Sequence, residues 1–419
     1  MRPAERSAAG VARAGDPALR ARVEAAFGAS APAIRRFAWV AAAVMAVVYL
    51  SYLVQMIVAI TAPGYGGESI AIDFVAFWAA AKLAVAGHAA AAFDPQTLQA
   101  AMALPANSPP GDLLWLYPPA WHMLIAPLGL MPFLPAYLVY SAVTFAAFAA
   151  AARPLAAPLP GGLPLALAAP ALLVGLILGN NSLIWTAGLL GALGAMPAGR
   201  AALAGLLIAC LTLKPQLGLL IPVALLAGRH WRVILWAVLG TAGIVLVSTA
   251  VMGLAYWTRF FSALSLMSGL LSTHLVNFDR MISWYALARL AGAPHAAAMA
   301  MQVVIGLAAA GAVGWVWSRP RAGADIRAAA LCAAIPLATP YAYHYELTLA
   351  LAAALFLARD GFGAVRGQRA WLLALWVVPA LNLGFAGTLA PAVYAAPMMS
   401  ATLALCAARV ARLAAPATA

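Results

Sequence analysis

The sequence predicts an all-α polytopic membrane protein with about twelve transmembrane helices, each needing roughly 20 apolar residues. Of its 419 residues, 66% are apolar and only 8% are charged. Soluble domains are about 45–50% apolar and about 25% charged. The apolar runs are long and rich in Ala, Leu and Val, without the alternating pattern of an outer-membrane β-barrel. The composition therefore excludes a soluble globular protein.

The order of elements follows from apolar runs that are interrupted by Arg, Gly and Pro. Residues 1–36 contain seven arginines and predict a cytoplasmic N-terminal tail. Residues 37–419 predict a single transmembrane domain, in which 61–133 form a first outer loop with juxtamembrane helices. The predicted spans are 37–60, 134–152, 163–178, 182–197, 201–213, 216–228, 232–253, 297–317, 328–340, 345–358, 370–388 and 391–408.

The orientation depends on segment 118–131, which is apolar but short and contains three prolines. If it does not cross the bilayer, most of the 24 basic residues fall on the same side as the N-terminus. The positive-inside rule favours this arrangement. We therefore predict a re-entrant or juxtamembrane segment at 118–131 and cytoplasmic termini. The Ala- and Arg-rich composition suggests a GC-rich bacterial genome, and we predict a location in the bacterial inner (plasma) membrane.

The net charge of +13 does not indicate nucleic-acid binding, because the arginines lie singly or in small groups between apolar runs. Cys210, Cys332 and Cys406 are far apart, and the sequence has no CxxC, HExxH or Gly-rich phosphate loop. We expect no cofactor. A metal site made by Asp73 and Asp94 remains an open alternative.

Asp73 begins a predicted helix that ends at Gly87. Phe74, Trp78 and two later residues form an apolar stripe, which predicts a helix lying on the membrane surface. A carboxylate at this position is a candidate general base. The alternative is that Asp73 only caps the helix.

Further candidates lie on the same predicted outer face. Lys214, one of only two lysines, precedes Pro215 and is a candidate phosphate ligand or a snorkelling side chain. The segment 340–347 contains Tyr343, His344 and Glu346, which indicate a polar site or an interfacial tyrosine belt. Asn180 either binds substrate or caps the next helix, and Arg280 either binds substrate or pairs with Asp279.

These motifs together resemble the membrane glycosyltransferases of the GT-C superfamily, in particular glycosyltransferase family 87. That family includes mannosyltransferases that use polyprenyl-phosphate mannose. The resemblance rests on five segments in order: Asp73 to Asp94, Tyr117-Pro118-Pro119, Gly179-Asn180-Asn181, Leu213-Lys214-Pro215 and Pro340 to Glu346.

The resemblance implies a GT-C fold with its active site at the outer leaflet. It implies inverting transfer of a hexose such as mannose, or of a pentose, from a polyprenyl-phosphate sugar to an envelope glycan or lipid. Asp73 would be the general base and Lys214 would hold the donor phosphate. The other substrate-binding candidates are His344, Glu346, Tyr343, Asn180 and Arg280.

A lipid or solute transporter without catalytic activity is the alternative function. A transporter would place polar groups along a path through the middle of the membrane on several helices. Here the polar residues concentrate at the predicted outer face, which favours the transferase.

Overall fold

The computed structural model describes residues 31–61, 71–103, 113–273, 276–363, 366–384 and 389–414. These residues form an all-helical protein, as predicted, with one isolated antiparallel bridge between Met281 and Tyr343. The first helix begins at Ala31, so residues 31–36 belong to it and not to the predicted tail. Residues 1–30 lie outside the described part.

The α-helices are numbered here in chain order, and short 3-10 turns are given by their ranges. They are α1 Ala31–Thr61, α2 Ile72–Val85, α3 Pro95–Ala101, α4 Pro119–Ile125, α5 Phe133–Ala156, α6 Gly162–Leu167, α7 Pro170–Leu178, α8 Ser182–Ala195, α9 Ala201–Cys210, α10 Ile221–Ala227, α11 Trp231–Met252, α12 Leu254–Ser272, α13 Trp284–Leu290, α14 His295–Ser318, α15 Ala324–Ala334, α16 Thr348–Arg359, α17 Arg366–Val377, α18 Leu381–Gly384 and α19 Ala392–Ala414.

Five helices of the described chain are long and apolar enough to cross a membrane, namely α1, α5, α11, α14 and α19. They correspond to the predicted spans 37–60, 134–152, 232–253, 297–317 and 391–408. The prediction of twelve spans is not confirmed, because the other seven predicted segments form helices shorter than 18 residues.

Prolines account for several of these interruptions, because a proline removes a backbone donor and clashes with the preceding helical turn. Predicted span 163–178 is two helices, and Pro170 is the first residue of the second. Pro215 lies between α9 and α10, and Pro336 lies in the 3-10 turn that ends α15. Helix α16 is short but buried along nearly its whole length.

Helix pairs in the protein approach closely where a glycine replaces a side chain. A Cβ atom on Gly205 of α9 would lie 2.6 Å from the carbonyl oxygen of Val233 on α11. Small residues of this kind allow the close backbone contacts that stabilise helix pairs in membranes.

Segment 118–131 consists of α4 and a 3-10 turn, Ala126–Leu130. At 1.5 Å per helical residue it extends for only about 18 Å, too short to cross a hydrocarbon core of about 30 Å. It packs on α2, because a Cβ atom on Gly129 would lie 2.5 Å from the carbonyl oxygen of Ala81. The segment is therefore too short to be a span, and its juxtamembrane position stays a prediction.

Helix α2 is buried on more faces than the predicted apolar stripe. All residues from Phe74 to Ala81 are buried, and the indole nitrogen of Trp78 donates a hydrogen bond to the carbonyl of Met131 over 2.9 Å. The face opposite the aromatic stripe carries alanines, which pack against protein instead of facing water, and the position of the helix at the membrane surface stays a prediction. The helix ends as expected before Gly87, whose φ is 79°.

Candidate active site

Four of the predicted site residues form one chain of hydrogen bonds. The amide nitrogen of Asn180 donates to Oδ2 of Asp73 over 2.7 Å. The ammonium of Lys214 donates to Oδ1 of Asn180 over 3.0 Å and to Oε1 of Glu346 over 2.7 Å. These residues come from four separate segments, so the fold itself assembles the site.

The Asp73 carboxylate is in the first turn of α2, but it does not cap the helix. The N-cap residue is Ala71, in a left-handed conformation with φ 42°, and its side chain makes no cap hydrogen bond. The backbone N–H of Ala71 donates to the Tyr52 hydroxyl over 2.8 Å, which ties the start of α2 to α1. The capping alternative for Asp73 is therefore wrong, and its carboxylate faces Asn180.

Asn180 is positioned by the turn between α7 and α8. Gly179 adopts φ 64°, and a Cβ atom there would lie 2.3 Å from Cβ of Phe74, so this turn lies directly against the start of α2. The backbone N–H of Ser182 donates to Oδ1 of Asn180 over 2.9 Å. The side chain thus satisfies the N-terminus of α8 and bridges Asp73 to Lys214 at the same time.

Lys214 lies between two 3-10 turns, and its side chain points into the protein. Lys214 and Glu346 have side-chain exposures of 4% each, so the ion pair between them is buried. The ammonium also lies 4.7 Å from the ring centre of Tyr345. The snorkelling alternative is wrong, because a snorkelling ammonium would reach water.

A second contact, besides the ion pair with Lys214, fixes the position of the Glu346 carboxylate. Its Oε2 accepts a hydrogen bond from the backbone N–H of Tyr343 over 2.7 Å, at the start of the 3-10 turn His344–Leu347. The Tyr343 ring stacks on Tyr345, with ring centres 5.6 Å apart. Tyr343 thus contributes both a backbone donor and an aromatic surface to the site.

His344 and Arg280 are joined by a hydrogen bond between Nδ1 of His344 and the backbone carbonyl of Arg280, at 3.1 Å. This bond requires a proton on Nδ1, which leaves Nε2 as a free acceptor in the neutral ring. Burial lowers the pKa of His344 to about 4, so the ring is neutral near pH 7. The Arg280 side chain is exposed, and Asp279 forms none of the described ion pairs.

Burial also shifts the pKa of the two acids. It raises the pKa of Asp73, against the opposing effects of the Asn180 hydrogen bond and the charges of Lys214 and Arg280. Burial likewise raises the pKa of Glu346, against the attraction of Lys214. A carboxylate whose pKa is raised toward neutral accepts a proton more readily than a surface carboxylate does.

Aromatic residues that the sequence did not single out as site residues lie beside Asp73. The Tyr140 ring on α5 is 5.1 Å from the ring of Phe74, and it lies in the electrostatic field of Asp73. Trp121 on α4 contacts Tyr140, with ring centres 6.3 Å apart. Burial, with the charges of Asp73 and Glu346, raises the pKa of the half-buried Tyr117. Tyr117 belongs to the Tyr117-Pro118-Pro119 motif, but no sequence signal separates Tyr140 and Trp121 from ordinary core aromatics.

Two other ionisable residues, one of them the metal-site candidate Asp94, have structural roles. His122 is buried, with Nε2 2.7 Å from the carbonyl of Ala80 and Nδ1 2.9 Å from the Tyr256 hydroxyl. Asp94 caps α3 by accepting from the backbone N–H of Thr97 over 2.8 Å. No cluster of three or more His, Cys, Asp or Glu residues suited to a metal ion occurs in the described part of the chain.

Comparison with known families gives one match. Residues 115–340, just over half of the chain, match the family model of glycosyltransferase family 87. The matched region includes Asn180, Lys214 and Arg280 but begins after Asp73. Searches of curated proteins and of solved structures found no match.

Proposed function

The chain belongs to glycosyltransferase family 87 and is thus a membrane glycosyltransferase, and on this premise we propose that it uses a polyprenyl-phosphate sugar as donor. The transferred sugar is a hexose such as mannose, or a pentose. The acceptor is a glycan or lipid of the cell envelope. The proposal places the site at the outer face of a bacterial inner membrane, with both termini cytoplasmic.

The observation that carries this proposal is the coupling of a base to a cation. Asn180 contacts Asp73 through its amide nitrogen at 2.7 Å and Lys214 through its amide oxygen at 3.0 Å. Inverting transfer needs a base at the acceptor hydroxyl and positive charge at the leaving phosphate. One asparagine side chain fixes both groups relative to each other, which is the preorganisation that such a step requires.

In the proposed step Asp73 takes the proton of the acceptor hydroxyl. The hydroxyl oxygen forms a bond to the anomeric carbon as the bond from that carbon to the phosphate oxygen breaks. The electron pair of the broken bond leaves with the phosphate. The products are a glycoside of inverted configuration, polyprenyl phosphate and a protonated Asp73, which then returns its proton to water.

Two cations are available for the leaving phosphate. Lys214 has three N–H donors, of which Asn180 and Glu346 use two. We assign the third to a phosphate oxygen. The exposed guanidinium of Arg280 binds the same group, and guanidinium geometry suits phosphate well. Since these two residues supply the positive charge, the proposed reaction uses no cofactor.

The segment 343–346 completes the substrate side in this proposal. Glu346 holds Lys214 in place and prevents it from collapsing onto Asp73. The free Nε2 of neutral His344 accepts a hydrogen bond from a substrate hydroxyl. The Tyr343 ring, stacked on Tyr345, borders the space that the substrate enters.

The test is sugar transfer by purified protein in proteoliposomes. Labelled polyprenyl-phosphate mannose, glucose and arabinose serve as donors, and membrane lipid extract serves as the acceptor. We expect transfer from one of these donors, with inversion at the anomeric carbon in the isolated product. Nucleotide sugars are the control donors. Transfer from nucleotide sugars only, or lipid translocation without any glycosylated product, would contradict the proposal.

A further inference from the structure

Two buried aromatic side chains beside Asp73 carry polar groups without a partner. The indole N–H of Trp121 and the hydroxyl of Tyr140 are fully buried and have no hydrogen-bond partner among the described residues. The two residues are 1% and 6% exposed. Buried N–H and O–H groups are nearly always hydrogen-bonded, since leaving one unpaired is costly. They are two of nine such atoms in the described chain, and their common position in one aromatic group needs an explanation.

Buried aromatic donors elsewhere in the described chain follow the rule with one exception, the Tyr49 hydroxyl, which is also unpaired although the Tyr49 residue is only partly buried. The other buried tryptophans all donate from their indole nitrogen, to a backbone carbonyl or to a hydroxyl: Trp78, Trp115, Trp185 and Trp317. The other buried tyrosines are bonded as well: Tyr137, Tyr256 and Tyr285. Tyr137 is the sharpest comparison, because it precedes Tyr140 by one turn of α5 and donates to the carbonyl of Leu176 over 2.7 Å.

The two unpaired donors belong to one aromatic group. Trp121 and Tyr140 are in edge contact, and both contact Phe77 of α2, at 5.2 and 6.1 Å between ring centres. Tyr117, which is half-buried, lies against the same tryptophan at 6.2 Å. Asp73 is one turn before Phe77 on α2 and interacts electrostatically with Tyr140. Tyr140 is thus within electrostatic range of the proposed base, and Trp121 lies against Tyr140.

This combination suits a particular ligand chemistry. Aromatic rings with a few convergent polar groups are typical of small-molecule sites. A sugar ring presents C–H faces that pack on aromatic rings, and hydroxyl oxygens that accept hydrogen bonds. An alkyl chain would satisfy neither donor, and a phosphate would need cations, which lie instead with Lys214 and Arg280.

We propose that Trp121 and Tyr140 form a sugar-binding subsite next to Asp73, in which the indole N–H and the phenol O–H donate to hydroxyl oxygens of a sugar ring. This inference rests on the proposed function, because a sugar occupies the site in either substrate. The ring belongs to the donor or to a glycan acceptor, and the experiment separates the two.

The experiment compares Tyr140→Phe and Trp121→Phe with the matched control Tyr137→Phe. Each tyrosine variant removes one hydroxyl from the same helix, and only the residue at 140 lacks a protein partner. Binding is measured by ligand-induced thermal shift in detergent. The probes are polyprenyl phosphate, the same lipid phosphate carrying mannose, glucose or arabinose, and octyl mannoside as a soluble acceptor.

In the wild type we expect a sugar-bearing lipid to bind more tightly than bare polyprenyl phosphate. Tyr140→Phe and Trp121→Phe should weaken one sugar probe about tenfold, the effect of one net hydrogen bond of about 1.4 kcal/mol. Binding of bare polyprenyl phosphate should not change. Weaker binding of the sugar-bearing lipid assigns the subsite to the donor, and weaker binding of octyl mannoside assigns it to the acceptor.

Stability provides a readout that does not depend on ligand. Tyr140→Phe should leave the melting temperature of the free protein unchanged or higher, because it removes an unpaired buried hydroxyl. Tyr137→Phe should lower it and leave sugar binding intact. A lower melting temperature for Tyr140→Phe would contradict the inference that the Tyr140 hydroxyl has no hydrogen-bond partner in the ligand-free protein.

Unchanged affinity of both variants for every sugar probe would overturn the subsite and leave the proposed function standing. That result would mean that the two donors face only buried water. Failure of the wild type to bind any sugar-bearing probe would contradict the proposed function and the subsite together.

Discussion

The two ends of helix α16 carry ion pairs of different character. Just before its first turn, Glu346 pairs with Lys214, and both side chains are only 4% exposed. At its last residue, Arg359 pairs with Asp325, at exposures of 10% and 24%, and the nearby Arg409 pairs with Asp360, at 32% and 18%. The twelve residues of the helix separate the two ends by about 18 Å.

The fold and the proposed site have different requirements for an ion pair. A buried pair is expensive to desolvate and is seldom the most stable solution for a packed core. The two arginine pairs at the C-terminal end of α16 keep contact with solvent. They fix the ends of α16 and α19 at little cost in desolvation. The Lys214–Glu346 pair at the start of α16 is costly to bury, and Asn180 joins it to Asp73. A catalytic site would require such a pair to be retained.

The largest expected effect comes from breaking the buried pair. Lys214→Met should destabilise the protein by about 3–5 kcal/mol, because Glu346 is left buried without its partner. The double variant Lys214→Met/Glu346→Leu should recover most of that stability. Neither variant should transfer sugar. Unfolding in detergent and transfer in proteoliposomes measure the two properties separately, and transfer by the double variant would remove Lys214 from the mechanism.

Two glycines, one before α8 at the site and one after it, allow a second contrast of the same kind. Gly179→Ala should cost about 2–4 kcal/mol, combining a left-handed alanine with a steric clash against Phe74. Gly199 also has positive φ, 73°, but a Cβ atom on it would meet no other atom within 4 Å. Gly199→Ala should therefore cost only about 1–2 kcal/mol. Equal melting temperatures for the two variants would contradict the close approach at the site.

The pH dependence of transfer tests the electrostatic coupling between Asn180 and Asp73. Asn180 donates to Asp73 and so opposes the rise of its pKa caused by burial. Because the base acts when deprotonated, activity is lost as pH falls through that pKa. Asn180→Leu should raise the pKa further and move the acidic limb of the kcat/KM profile to higher pH. An unmoved limb would mean that another group than Asp73 controls it.

The smallest effect is expected from breaking the Arg359–Asp325 pair at the C-terminal end of α16. Arg359→Met should lower the free energy of unfolding by about 1 kcal/mol, since solvent screens a partly exposed pair. Transfer at saturating donor should remain close to that of the wild type. A loss of transfer comparable with that of Lys214→Met would show that the two ends do not differ in the way proposed.

The sequence predicted the helical class, the five long spans and the start of α2 near Asp73, because these depend on local apolar runs. The twelve predicted spans are not confirmed, because several apolar runs form helices shorter than 18 residues, with Pro170 dividing one run and Pro215 separating two others. Nothing local in an apolar run distinguishes a helix that faces lipid from one that is enclosed by other helices.

Candidate site residues were found because charged residues are rare in this chain and therefore conspicuous. Their pairing could not be predicted: Lys214 and Glu346 are 132 positions apart, and only the packed helices bring them together. Tyr140 was missed for the opposite reason. It lies in a long apolar helix, where a tyrosine looks like any other core residue until its hydroxyl proves to have no partner.

The central claim is that Asp73 is the base of a sugar transfer, and single-turnover transfer by Asp73→Asn tests it most directly. Asp94→Asn is the matched control, since that carboxylate is on the same loop but only caps α3. We predict a fall of about 10²–10⁴-fold for Asp73→Asn with donor binding retained, and a near-normal rate for the control. A normal rate for Asp73→Asn would contradict the account and move the base elsewhere, with His344 the next candidate.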